Sequence, residues 1–484
     1  MEMENVRGLV LDTLLALERK EDYSHRLIKS VLDKYDYLET REKSFIKRVT
    51  EGALERQPEL DYYLDHYSSV PVRKMRPLIR CLMRMSVYQL LYMDSVPDSA
   101  VCNEACKLAG KRGFQNLKGF VNGLLRTISK NKDTLPLPDE QKTPVQYLSV
   151  KYSMPEWLVE LWLDEYGWKI TEKLLRTFLE SNPVSLRFSI AVSAEEREGL
   201  CRRIRGSGAT LEKSPYLPYV YRMEQGNDPS MLPGFREGMY TVQDISSALA
   251  VEAAEIGEKD FVIDVCAAPG GKSILAAEKA KAGRVLARDI SQEKTALIAE
   301  NICRMRAANV EVQVFDGVCT DEELTGKADV VLLDVPCSGL GVIGRKGDIK
   351  YRATREGMES LAELQKQIVR ASARYVKPGG TLLYSTCTIH SGENEAMVCY
   401  IARELGYKPV SIEKILPRAL SEEKKRLEED LCEAGKKLAA ALTEEERACC
   451  IQLLPGYMEA DGFFIARFQR ESDCKDGQDN RRKN

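Results

Sequence analysis

The sequence predicts a multidomain chain with an all-α front, a small α/β unit and a doubly wound α/β domain on a mostly parallel sheet. Over residues 4–130, apolar residues recur every three or four positions with few strand-like alternations. A Pro-rich polar stretch, DTLPLPDEQKTP, follows at 133–144 and fits an interdomain linker. From about 241 onward, short β-rich runs alternate with helical patterns, as parallel strands joined by crossover helices require. A chain of 484 residues has room for about three domains, and 44% hydrophobic content gives each a core.

The front domain, 1–135, takes its helical period from Val6, Val10, Leu14 and Leu17, then from Leu78, Cys81, Leu82, Met85, Tyr88 and Leu91. Breaks at Ser69 to Pro71 and Ser95 to Asp98 fit loops. The second unit, 145–240, opens with helical segments around 155–166 and 171–179 and continues with β-like stretches VSLRFSI and YVYRM. In the third, 241–470, the runs are FVIDVCA, a helix from 272, RVLARDI, a helix from 292, VEVQVF, ADVVLLDV, a helix over 356–376, GGTLLYST and a helix over 392–404. Residues 412–448 read as one or two exposed helices rich in Glu, Lys, Leu and Ala. The tail 471–484 lacks the apolar residues a packed segment needs and is expected to be disordered.

No run approaches the roughly 20 apolar residues that cross a bilayer, and acidic residues stand where a secretory signal carries a basic flank. A cytoplasmic, non-membrane protein with reduced thiols is expected, because the 14 cysteines are scattered without a disulfide framework. No metal is expected either: there is no CxxC pair, and His25, His66 and His390 lie far apart. The net charge of −3 hides an asymmetry, since residues 71–130 hold 11 Lys plus Arg against 3 Asp plus Glu. Such an excess suits phosphate contacts, although a solvated helical surface would carry it equally well.

The strongest local signal is DVCAAPGGKS, 264–273, a strand running into a glycine turn that opens a helix. A phosphate loop of the form GxxxxGKS would need Gly where Cys266 stands, and GxGxxG is absent. What remains is a strand-end loop whose Gly270 and Gly271 let a ligand approach the backbone at the carboxyl edge of the sheet, where adenosyl ligands sit. Asp289 ends the next strand and could accept ribose hydroxyls, Asp316 could reach an adenine edge, and Asp334 lies beside the expected methionine end. The expected cofactor is S-adenosyl-L-methionine, held by Cys266, Ala267, Ala268, Pro269, Gly270, Gly271, Lys272, Asp289, Asp316 and Asp334.

Two further segments, LLDVPCSGLGVIGRKGDIKYR (332–352) and LLYSTCTIHSGENE (382–395), each place a cysteine just past a strand end. Carbon 5 of cytosine is too weak a nucleophile to take a methyl group unaided. Attack on carbon 6 by a thiolate first makes it an enamine, and a second thiolate could then remove the proton left on carbon 5. Asp334 could hold the ring nitrogen and stabilise the adduct. A lone cysteine is more often a small buried hydrophobe, but two at adjoining strand ends beside a cofactor loop reverse those odds.

The combination DVCAAPGGK, DVPCSG and YSTCT, in that order, resembles the RNA 5-methylcytosine methyltransferases of the Nop2/NSUN (Sun) superfamily. The resemblance implies a Rossmann-like class I methyltransferase domain, with Cys387 of the Ser-Thr-Cys motif as nucleophile and Cys337 of the Pro-Cys motif releasing the product. FREGMYTVQDISSALA (235–250) and DGFFIARF (461–468) resemble the family's lead-in and closing strand. VPDSAVCNEACKLAGKRG and GFVNGLLR resemble the NusB-like RNA-binding domain that precedes the core in bacterial small-subunit rRNA methyltransferases. The implied partner is 16S ribosomal RNA, free or in a partly assembled small subunit, met by a monomer. RNA contacts are expected along 71–130, on the second unit, and at Arg345, Lys346, Lys350 and Arg352. A tRNA or DNA cytosine-C5 methyltransferase, or a noncatalytic RNA-binding assembly factor, are the alternatives. The chain departs from the family pattern at SLRFS, at the inserted stretch 412–448 and at LLPGYMEADGFF.

Overall fold

The computed structural model describes residues 6–19, 23–180, 183–225 and 228–472. The tail from 473 onward, expected to be disordered, lies outside them. The chain forms two compact units, one of residues 1–164 with 345–352, the other of 165–344 with 353–484.

The first unit is helical: α1 (Val6–Glu18), α2 (Ser24–Lys34), α3 (Thr40–Glu55), α4 (Gln57–Tyr67), α5 (Pro77–Tyr92), α6 (Asp98–Lys111) and α7 (Lys118–Asn131), followed by α8 (Pro144–Lys151) and the start of α9 (Glu156–Tyr166). The stretch read as a linker therefore runs inside a compact unit. Helices α1 to α7 share one core, in which Val10, Leu11, Ile46, Leu82, Val121 and Ile128 are fully buried, as their three- and four-residue spacing requires. Eight residues from the Pro-Cys segment, Arg345–Arg352, also belong to this unit.

The second unit holds two sheets. β1 (Val184–Phe188), β2 (Thr210–Lys213), β3 (Val220–Gln225) and β4 (Tyr240–Val242) pair antiparallel in the order β2-β3-β1-β4. The larger sheet contains β5 (Phe261–Asp264), β6 (Arg284–Asp289), β7 (Val310–Val314), β8 (Ala328–Asp334), β9 (Val376–Thr386), β10 (Lys408–Pro409), β11 (Cys450–Leu453) and β12 (Phe463–Gln469). Its path is β10-β12-β9-β8-β5-β6-β7, with β11 on β12. β5 to β9 pair parallel, while β12 runs antiparallel to β9, β10 and β11. This is the Rossmann-like, mostly parallel sheet with its switch of strand order at β5/β8, and the runs VVLLD and TLLYST are buried as central strands are.

Two elements differ from their sequence reading. The helix expected over 392–404 starts at Glu395, after a 3-10 turn at Ser391–Glu393, because Glu393 and Asn394 are drawn inward by side-chain bonds. The inserted stretch forms three helices, Arg418–Asp430, Glu433–Ala440 and Glu444–Ala448, and the first buries Leu420 and Leu427.

Candidate active site

β5 ends in Asp264, whose side chain has no exposure. Its Oδ2 accepts a hydrogen bond from Ser273 Oγ at 2.6 Å, while Oδ1 is buried with no hydrogen-bond partner. Burial pushes this carboxyl up to about 7, against the Ser273 bond and nearby Lys272, which both act to lower it. The loop beyond turns at Gly270, with φ of 100°, into a helix over Gly271–Lys279. A Cβ on Gly271 would come within 3.1 Å of the Gln243 side chain, which would have to give way by a few tenths of an ångström.

Two of the aspartates predicted from strand ends, Asp289 and Asp334, bond to residues of this turn. Asp289 Oδ2 accepts the Ala268 N–H at 3.0 Å, and its Oδ1 accepts the Ile290 N–H at 2.8 Å and meets Lys294 Nζ at 3.0 Å. Asp316, exposed beyond β7, accepts the Val318 N–H. Asp334 ends β8, where its Oδ2 takes a 2.6 Å ion pair from Lys272 Nζ and its Oδ1 a bond from Ser385 Oγ. Lys272 also bonds Ser247 and lies over the Phe463 ring. The predicted set fits S-adenosylmethionine in kind. Asp289 Oδ2 keeps a lone pair for a ribose hydroxyl, and Asp264, outside the predicted set, adds a buried oxygen without a partner, which suits the cofactor's ammonium. Among the described residues, no cluster of His, Cys, Asp or Glu could hold a metal ion.

Register explains the meeting of the two cysteines. β8 and β9 are parallel neighbours with Asp334 opposite Ser385, so the loops that follow leave the sheet side by side. Cys337 Sγ and Cys387 Sγ stand 3.3 Å apart. The Cys387 sulfur, then burial, hold the Cys337 thiol well above its ordinary pKa, with Glu393 adding to the effect, so Cys337 keeps its proton.

Charge and family reasoning had passed over the groups that fix these loops. Glu393, fully buried, accepts from Ser338 N–H at 2.9 Å, from Ser338 Oγ and from Gln365 Nε2 at 3.0 Å. Gln365 also donates to the Pro336 carbonyl. Asn394 accepts from Thr386 Oγ1 at 2.6 Å and donates to the Thr388 carbonyl, on either side of Cys387. Glu393 therefore ties the Pro-Cys loop and Asn394 the Ser-Thr-Cys loop. Their signal was an acid and an amide, adjacent in GEN, beside an apolar run.

Some cations expected to meet RNA are committed elsewhere. Lys350 is buried, with its ammonium donating to the carbonyls of Glu55 at 2.8 Å and Ser153 at 2.7 Å. Arg187 of SLRFS is fully buried and pairs with Glu278 at 2.8 Å and Gln243 at 2.6 Å. Within 71–130, Arg80, Arg84, Lys107 and Arg112 are ion-paired, whereas Arg73, Lys74, Arg76, Lys111, Arg126 and Lys130 are exposed.

The chain is similar to known proteins along most of its length. A family model for the 16S rRNA methyltransferase RsmB/F matches residues 251–469, and the NusB family model matches 4–130. A Bacillus subtilis (strain 168) protein named probable ribosomal RNA small subunit methyltransferase B is 33% identical over 478 residues, spanning 97% of this chain and all of that one. A Synechocystis protein of the same name is 31% identical, over 82% of this chain and 88% of its own. Among solved structures, PH0851 superposes with a TM-score of 0.74 at 22% identity, over 97% of this chain and 99% of that chain. NSun6 from Pyrococcus horikoshii, solved with SFG, gives 0.54 at 21% identity, over 66% of this chain and 99% of that one. At such identities the two structures speak to the fold.

Proposed function

The chain belongs to the ribosomal RNA small subunit methyltransferase B family and is an S-adenosylmethionine-dependent rRNA methyltransferase; from that premise we propose that it methylates carbon 5 of one cytosine in 16S rRNA through a covalent adduct of Cys387. The observation that carries the reading is the pair of sulfurs 3.3 Å apart at the ends of adjacent parallel strands.

Bound S-adenosylmethionine supplies the electrophilic methyl group, and the residues that would hold it are those of the 264–272 turn with Asp289, Asp316 and Asp334. Cys387 attacks carbon 6 as the thiolate, forming a C–S bond and pushing the ring electrons toward carbon 5 and the ring nitrogen. Asp334, oriented by its ion pair with Lys272 and its bond from Ser385, accepts a hydrogen bond from the nitrogen as it takes up the proton that Cys387 releases. Once carbon 5 carries the methyl group and Cys337 has given its own proton to solvent, the Cys337 thiolate takes the remaining carbon 5 proton and returns to the thiol, and the released pair re-forms the 5,6 double bond as the Cys387 sulfur leaves as thiolate. A thiol with a raised pKa makes a strong base once it has lost its proton. The target base must leave its stack, because carbon 6 is out of reach inside a helix.

The test combines labelled methyl transfer with two substitutions. Unmodified 16S rRNA should yield 5-methylcytosine at one site, with tRNA and DNA as parallel substrates. Cys387→Ala should abolish transfer and adduct, whereas Cys337→Ala should leave an RNA–protein adduct that persists on denaturing gels. The reverse pattern would assign attack to Cys337. RNA binding with no transfer to any substrate would favour a noncatalytic assembly factor.

A further inference from the structure

The segment Arg345–Arg352 belongs to the helical unit, although eight residues earlier the same chain carries Cys337 in the catalytic one. Its side chains cap the ends of two helices, one of which, α2, has no side-chain cap of its own. α2 opens at Ser24 with Tyr23 as N-cap, which gives no side-chain bond; the Ser24 N–H instead donates to Asp348 Oδ2 at 2.9 Å. α3 ends at Glu55, and its terminal carbonyls accept from Lys350 Nζ and from the Tyr351 hydroxyl, which reaches Leu54 O at 2.9 Å. A carboxylate thus meets a helix N-terminus, and the Lys350 amine, which burial pushes down to about 7, donates to the last carbonyl of another helix. The Arg352 guanidinium lies over the Tyr23 ring at 4.4 Å, and Asp348 and Lys350 are both buried. An excursion this deeply inserted is fixed wherever α2 and α3 are fixed.

Its other end is fixed to the backbone of Cys387. The Gly341 N–H donates to the Cys387 carbonyl at 3.1 Å, and the Gly462 N–H donates to the Gly341 carbonyl at 2.9 Å. A Cβ at Gly341 would strike the Gly462 carbonyl oxygen, so the strap has no slack there. Three residues, Val342, Ile343 and Gly344, connect this pinned point to Arg345.

We propose that the excursion is a positioning strap through which the helical unit sets the loop joining Cys337 to the Cys387 backbone. Lys350 and Asp348 touch no reacting group; they act by fixing the strap, so that displacement of α2 or α3 by bound RNA reaches the thiols through residues 342–344. The inference rests on the methyl transfer proposed above, and its adduct readout rests on the assigned thiol roles.

The full-length protein tests it with two variants. Lys350→Met removes the α3 cap. Insertion of Gly-Gly between Gly344 and Arg345 leaves every cap in place and loosens only the connection. With 16S rRNA as substrate, both should lower kcat at least tenfold while KM for RNA and for S-adenosylmethionine stays within twofold, and both should accumulate denaturant-stable adduct. Cys337→Ala is run beside them. If it yields no adduct, the thiol assignment fails, yet a tenfold kcat loss in the insertion variant still supports the strap. An insertion variant with wild-type kcat would overturn the proposal, whatever Lys350→Met does, because the segment would then serve only to cap helices.

Discussion

Asp264 is a buried carboxyl with one satisfied and one orphaned oxygen, and its pKa of about 7 has a thermodynamic consequence. Its folded value lies above the ~3.9 of an unfolded chain. The bound proton therefore contributes stability that is fully present below about pH 4 and lost as the pH rises through 7. Without cofactor, the melting temperature should fall between pH 5 and pH 7.5 in the wild type, and fall less in Asp264→Asn, which carries no titrating proton. An ammonium ligand selects the ionised form, so S-adenosylmethionine should bind more tightly as the pH rises from 5.5 to 7. It should also release a substantial fraction of a proton at pH 7. Calorimetry in two buffers of different ionisation enthalpy measures that release; affinity flat across the window with no proton release would remove Asp264 from the site. The glycine turn and the strand-end aspartates were legible in DVCAAPGGKS and its successors because backbone chemistry fixes them locally. The Lys272–Asp334 pair, Glu393 and Asn394 were not, since each takes its role from a partner dozens of residues away or from a neighbouring loop. Lys350 shows the same limit, as a charge that reads as solvent-facing until its two carbonyl partners are seen.

At the scale of elements, β5, β8 and the TLLYST end of β9 were legible because a parallel strand covered on both faces reads as an apolar run, whereas the edge strand β7, VEVQV, showed as alternating valines. Their order and register were not written in those runs, yet register is what brings Cys337 and Cys387 together. The inserted stretch was read as exposed helices from its charge, and its first helix exposes six of its thirteen residues. Two leucines seven apart in sequence, Leu420 and Leu427, nevertheless face inward, and Asp430 bonds both Lys169 and Tyr457. Such spacing makes one apolar stripe on an otherwise polar helix. The insertion is therefore an integral layer of the catalytic unit, and Leu420→Ala should destabilise that unit by roughly 2–5 kcal/mol, the range for emptying a buried leucine site. Urea unfolding followed by tryptophan fluorescence measures it. A midpoint equal to that of wild type would mean that the helix is a peripheral decoration.

Across the whole molecule, a net charge of −3 sits badly with an RNA substrate until its distribution is considered. Carboxylates neutralise Arg80, Arg84, Lys107 and Arg112 on the helical unit, while Arg73, Lys74 and Arg76 stand exposed together at the entry to α5. That local cluster, rather than the total, decides how many phosphates the helical unit can neutralise, and each phosphate contact to a single strand steepens the salt dependence of binding by about 0.7. Changing Arg73, Lys74 and Arg76 together to Gln should flatten the slope of log affinity against log salt by about 2, and raise the KM for 16S rRNA. S-adenosylmethionine binding should not change. The control removes cations from the inserted helix, with Lys425→Gln and Arg426→Gln. If position governs, the control leaves the slope nearly untouched; if it flattens the slope in proportion to the charge removed, net charge governs and the helical face is not the RNA surface. An unchanged slope in the triple variant would reject this cluster outright and move the search for phosphate contacts to Lys111, Arg126 and Lys130.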